Sequence, residues 1–177
     1  MAGEPSAAGE PLPAMRLLER SGAGIGTPAG RRGMFPAIPP GGWVLDKSAA
    51  ARADDPVIGV ELAELVGALF VCPVGELEQL YSARSAADYD GLKSMLHANF
   101  EVVAAPPDIL DRALRLQRDL AHYHGMWHRT PIPDLLIAET ALFHGLGVVH
   151  VDGDFSRIAE VRPLIARRLG IRSDSIQ

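Results

Sequence analysis

The residues in this sequence best able to do chemistry are acids standing at the ends of apolar segments. Asp46 closes "WVLD", Asp152 closes "GVVHVD", and Asp134 opens the apolar helical pattern "PIPDLLIAETALFHG". Glu78 falls early in the helical "VGELEQLYSAR", and Asp154 follows Asp152 in "VDGDF". Taken singly, each has an ordinary explanation, because an acid at a helix start is stabilised by free N–H groups and by the helix dipole. Brought together they would repel, and each would raise the proton affinity of the others unless a positive charge sat between them. A hard divalent cation with oxygen ligands is the usual remedy. Such a site activates water and stabilises a phosphoryl transition state.

The elements around these acids decide whether they meet. "WVLD", "LFVCP", "FEVVAA" and "GVVHVD" read as short, continuously apolar strands separated by helical patterns. Buried strands alternating with helices specify an α/β domain with a mostly parallel sheet of about four or five strands. The segment "FSRIAEVRPLIARRL" reads as helical in part. Right-handed crossovers then place the carboxyl ends of the strands on one edge, where open α/β sheets bind ligands. Asp46 and Asp152 would project there. Asp134 would stand above the apolar strip Ile137, Ala138 and Ala141, and Glu78 at the margin of a stripe formed by Val74, Leu77 and Tyr81. A further stripe, Ile109, Ala113, Leu116 and Leu120, marks "DILDRALRLQRDLAHYH" as an amphipathic helix.

Composition narrows the classes of function. The chain has 177 residues, 47% of them hydrophobic, enough for one core but not for two full domains. A net charge of −5 argues against a general polyanion binder, so a nucleic acid would need a local basic rim or a bridging metal. The lone Cys72 excludes an internal disulfide and fits a reducing, cytoplasmic setting. No membrane span or secretory signal is expected. Residues 1–42 hold half of the chain's 18 glycines and half of its 14 prolines. They read as a disordered extension, or as the product of a misplaced start with Met34 as the true one. "SGAGIGTPAG" lacks the spacing and the preceding strand of a phosphate loop.

Other candidates are weaker. His122, His124 and His128 have no cysteine partners and no helical zinc pattern, and His150 reads as a strand residue. Lys47, Arg84, Arg129 and Arg157 flank the acidic segments and could meet substrate phosphates, although a solvated face explains any one of them. Trp127 could stack on an unpaired base or pack its loop. "VDGDF" shares an Asp-x-Asp strand end with haloacid-dehalogenase phosphatases, but too little chain follows to complete that fold.

Four segments in order, "WVLDKSA", "GELEQLYSAR", "PIPDLLIAETALFHG" and "VVHVDGDFSRIAEV", resemble the motifs of PIN-domain ribonucleases. Among these the chain is most similar to the VapC-type toxins of bacterial type II toxin–antitoxin pairs, of actinobacterial type. The resemblance covers residues 43–161, with residues 43–177 expected to form the PIN-like three-layer domain. It implies that Asp46, Glu78, Asp134 and Asp152 are catalytic metal ligands, with Ser48 as a nearby hydroxyl and Asp154 as an accessory acid or helix cap. It selects Glu78 over Glu76, because the family's glutamate precedes the aromatic of "LYSAR" by three residues. It further implies Mg²⁺ or Mn²⁺, an RNA substrate, a small cognate antitoxin and a homodimer. The antitoxin is expected along a groove near Val60 and Leu65. A catalytically silent PIN module that binds RNA or protein is the alternative, disfavoured because an inert fold would gain stability by losing repulsive carboxylates.

Overall fold

A computed structural model describes residues 41–124 and 129–170, His124 by its backbone alone. The extension before Gly41 and the loop residues Trp127 and His128 lie outside the described residues. The chain runs β1 (Trp43–Leu45), α1 (Lys47–Ala50), α2 (Pro56–Ala63), β2 (Leu69–Val71), α3 (Pro73–Leu80) and α4 (Ala86–Asn99). It continues through β3 (Glu101–Val102), α5 (Ile109–His124), α6 (Ile132–Phe143), β4 (Gly147–His150), α7 (Asp154–Val161) and β5 (Ala166–Arg168). Among the described residues no helix is long and apolar enough to cross a membrane.

The five strands form one sheet in the order β3-β2-β1-β4-β5, and every pair is parallel. Alternate residues of the central strands feed two cores. Trp43, Leu45, Val71 and Val149 pack with residues of α1, α2 and α4 on one face. Val44, Cys72 and Val148 pack with residues of α5, α6 and α7 on the other. This is the expected three-layer α/β arrangement. The first two crossovers cover one face and the later ones cover the other, so the direction of winding changes between β1 and β4. Adjacent strands leaving such a seam on opposite sides open a crevice beyond their carboxyl ends. Gly147 allows the seam to close, because a Cβ there would stand 2.7 Å from the ring of the fully buried Trp43.

The outer strands differ from expectation. "FEVVAA" yields a two-residue edge strand whose residues are exposed rather than a buried one. The segment read as partly helical does hold α7, and it then ends in an unexpected strand, β5, whose sequence Ala-Arg-Arg carries no apolar run. Edge strands have one neighbour and incomplete cover, so their composition need not be apolar. The central strands β1 and β4 are buried at every residue.

α3 also departs from the expected phase. It buries Gly75, Gln79 and Leu80, whereas Leu77 and Tyr81 of the expected stripe are exposed. The turn from β2 into Pro73 sets the rotation of this short helix and brings Gly75 to the Leu45 carbonyl. Glu78 is nevertheless half-buried, since it faces the sheet edge rather than the core.

α6 begins with Pro133 in its first turn, where no backbone donor is needed, and carries Asp134 there. Ile137, Ala138 and Ala141 are fully buried, as the pattern predicts. The same helix buries Glu139, which accepts from Arg162 Nε at 3.1 Å, while Arg162 Nη1 reaches Asp119 Oδ2 at 2.7 Å. One guanidinium thus joins α5, α6 and the end of α7, and α6 and α7 each present an acid at the sheet edge. Arg162→Ala should leave the Glu139 carboxylate buried without its cation. The expected loss in urea denaturation is about 2–3 kcal/mol, below the ~3–5 kcal/mol of a fully buried pair because Arg162 keeps some contact with water. Glu139→Gln should lose less.

Candidate active site

Asp46 leaves β1 with its backbone still in the ladder, its N–H donating to the Val149 carbonyl at 3.0 Å. Its side chain caps α1 by accepting the Ser48 N–H at 2.8 Å. The capping role expected of a lone aspartate is therefore present, but the carboxylate is also buried. Burial pushes its pKa up; hydrogen bonds from Ser48 oppose this and the Asp152 charge adds to it. Ser48 has a second task, as its Oγ accepts the Val151 N–H at 3.0 Å. That bond ties the turn after β1 to the turn after β4.

Asp152 follows β4 by two residues. The fully buried His150 donates from Nδ1 to the Asp152 carbonyl at 2.7 Å and packs against Phe155. Burial pushes the His150 pKa down, so the ring is neutral and acts as a strut for the turn. His150 is a strand residue, as expected. The Asp152 carboxylate accepts the Asp154 N–H at 3.4 Å. Asp154 is the first residue of α7, whose N-cap position belongs to Gly153, and it forms an ion pair with Arg157 at 2.7 Å.

Asp134 is buried on the first turn of α6. Its pKa is pushed up to about 8, first by burial and then by the charges of Asp46, Asp152, Asp154 and Glu78. Glu78 is shifted upward as well, by burial and then by Asp46, with Lys47 opposing. The same mutual effects show that the five acids lie in one electrostatic neighbourhood. Carboxylate oxygens of Asp134, Asp152 and Asp154 lie within 4.8 Å of one another. Asp154, expected as an accessory acid or cap, belongs to this tightest group, whereas Asp46 and Glu78 border it. Glu76 instead meets His97 of α4 at 3.0 Å, which separates it from the cluster.

The flanking cations are placed unequally. Arg157 is engaged by Asp154, and Lys47 lies 5.9 Å from the centre of the Tyr81 ring. Arg84 and Arg129 are both exposed to solvent. His122 is exposed on α5, away from any described group of ligands. Sequence reasoning missed the Ser48–Val151 link, because a serine signals nothing about a partner 103 positions away.

Three carboxylates, with no nitrogen or sulfur donor among them, suit a hard divalent cation. The raised proton affinity of Asp134 comes first from burial and then from neighbouring negative charge that nothing balances. The donor set fits the metal that the sequence suggested.

The PIN domain family matches residues 44–161. The chain belongs to this family. Ribonuclease VapC17 of Mycobacterium tuberculosis is 56% identical over 124 residues, covering 68% of this chain and 90% of the relative. Ribonuclease VapC21 of the same organism is 39% identical over 121 residues, covering 67% and 87%. Such identities place the chain among the VapC-type PIN proteins. Solved structures share the fold. VapBC-5 of M. tuberculosis, from a toxin–antitoxin system, aligns with a TM-score of 0.53 at 22% identity, over 73% of this chain and 99% of its own. VapBC-1 of nontypeable Haemophilus influenzae aligns with a TM-score of 0.56 at 14% identity, over 71% and 96%.

The raised proton affinity of Asp134 has a consequence for metal-free stability. Below about pH 4 the folded and unfolded carboxyls both hold a proton, so no penalty exists. As pH rises toward about 8 the unfolded chain releases the proton first, and the folded state loses stability. Asp134→Asn removes this loss. In EDTA, the melting temperature of Asp134→Asn minus that of wild type should therefore grow from about pH 4 to about 8 and level off above it. His150, lowered in pKa, works in the opposite direction below its ordinary 6.5 but is common to both proteins. A constant difference across the range would contradict the assignment.

Proposed function

We propose that this chain is a divalent-metal-dependent endoribonuclease and the toxin of a toxin–antitoxin pair. The observation that carries this reading is the gathering of Asp46, Glu78, Asp134, Asp152 and Asp154 at the β1–β4 crevice of a VapC-type PIN fold. Asp134, Asp152 and Asp154 would hold Mg²⁺ or Mn²⁺, with Asp46 and Glu78 completing the acidic wall. Bound there, the cation would supply an activated water and charge stabilisation for a phosphodiester. The chain's own residues provide the rest. α6 and α7 hold their acids on buried helices, Ser48 fixes the Asp46 turn to the Asp152 turn, and His150 braces the latter. Rigid placement of this kind lowers the reorganisation needed when charge develops.

The antitoxin would meet the exposed face of α2, where Val60 is 63% exposed. Leu65, expected in the same groove, is only 2% exposed and belongs to the core, so the surface is narrower than anticipated. The unit of function would be residues 43–177, as a homodimer. A chain begun at Met34 should match the full chain in melting temperature and in RNA cleavage, and a large loss in either would assign a role to residues 1–33.

Asp134→Asn and Asp46→Asn should each lower cleavage by a factor of roughly 10² or more, the scale on which a preorganised electrostatic group acts. Both should remain folded by circular dichroism. EDTA should abolish wild-type cleavage and added Mg²⁺ restore it. Induction of the wild-type gene alone should arrest growth, and induction of the Asp46→Asn gene should not. RNA binding without metal-dependent cleavage would favour the silent module.

A further inference from the structure

A cleft of ≈ 370 Å³ opens between the end of α1, the start of α2 and the carboxyl ends of β4 and β5. Ile58, Val151 and Leu169 contribute its apolar lining, and Arg52 and Arg168 its cationic groups. The two guanidiniums differ from five others among the described residues. Arg112, Arg115, Arg157, Arg162 and Arg167 each meet a carboxylate. Among the described residues, Arg52 and Arg168 meet none; each is anchored instead to a backbone carbonyl. Arg52 Nη1 donates to Ser48 O at 2.9 Å, and Arg168 Nε donates to Val151 O at 2.8 Å.

Those two carbonyls belong to the residues already joined by the Ser48 Oγ bond to the Val151 N–H. The link therefore runs Arg52, Ser48, Val151, Arg168, and it passes two residues from Asp46 and one from Asp152. A guanidinium has five N–H donors, so one bond to a carbonyl leaves the rest for an anion. On Arg168 both terminal nitrogens remain available to chelate two oxygens of one phosphate. Asp55 also lines the cleft, but its carboxylate accepts the Val57 and Ile58 N–H groups as the cap of α2.

We propose that Arg52 and Arg168 form a subsite for an RNA backbone phosphate flanking the bond that is cleaved. This deepens the ribonuclease reading and rests on it. A polyanion approaching five carboxylates on a chain of net charge −5 needs local positive charge, and these two cations, which form no ion pair with a described carboxylate, are joined through Ser48 and Val151 to the turns that carry Asp46 and Asp152. The apolar lining suits the sugar or base attached to that phosphate.

The test compares wild type with the double variants Arg52→Gln/Arg168→Gln and Arg52→Lys/Arg168→Lys, each checked for folding by thermal melts. A short fluorescent single-stranded RNA serves as probe, bound in EDTA and cleaved with Mg²⁺, across a series of salt concentrations. The glutamine pair should raise Kd and KM by roughly tenfold or more and leave kcat nearly unchanged. Its slope of log affinity against log salt should shrink by about 0.7 for each phosphate that is no longer neutralised. The lysine pair should recover the slope but only part of the affinity, because an ammonium keeps the charge without the planar fork. Unchanged Kd, KM and slope would overturn the proposal while a cleaving wild type kept the ribonuclease reading. A fall in kcat alone would also overturn it, making the arginines mere braces of the backbone. Variants that bind RNA normally but escape inhibition by the antitoxin would assign the cleft to that protein and overturn it as well. A wild type that binds RNA but never cleaves it defeats the ribonuclease reading, and the salt slopes still decide the subsite. Absence of any RNA binding by wild type defeats both.

Discussion

Repulsion among carboxylates at the β1–β4 seam is the constraint to which the remaining architecture answers. Asp46 sits at the end of one buried strand and Asp152 just past its parallel neighbour, and the ladder between them is closed up to Asp46 itself. Left on flexible segments, such acids would drift apart into water. Here the ladder, the Ser48 bridge and the buried start of α6 deny them that escape. Burial and then the neighbouring charges raise the proton affinity of Asp134, and a divalent cation would displace that proton.

Balance around the cluster is distributed rather than local. Arg157 answers Asp154, Lys47 opposes the shift at Glu78, and Arg162 fixes the helices that carry Asp134 and Asp154 from a point distant from the chemistry. These cations do different work. Arg162 is a structural pin whose charge is consumed by Glu139 and Asp119, whereas Arg52 and Arg168 are held by neutral carbonyls and keep theirs. The contrast would let a chain of net negative charge admit a polyanion at one place without attracting polyanions everywhere.

Much of the fold was legible in the sequence, for reasons that differ by element. β1 and β4 are continuous apolar runs because both faces of the seam are covered, and α4 starts at a capping serine, Ser85, whose Oγ accepts the Asp88 N–H. The exposure of β3 and the presence of β5 were missed because an edge strand is defined by its neighbour's backbone, which leaves little trace in its own side chains. The stripe on α3 misled for a related reason. Eight residues are too few for periodicity to outweigh the turn that sets their rotation, so Leu77 and Tyr81 face water.

The sequence by itself determined which acids stand at the ends of rigid apolar elements, and with parallel strands this already assigns Asp46 and Asp152 to one edge. Order along the chain and the handedness of crossovers are sufficient for that, because they are properties of the backbone. Only the tertiary structure decided how the acids are grouped, with Asp154 inside the closest set and Glu76 turned away to His97. It alone revealed the Ser48–Val151 bridge and the two arginines anchored beside it. The bridge joins residues 103 positions apart and brings the two anchored arginines together, and such a distance is set by packing of the whole core rather than by any local pattern.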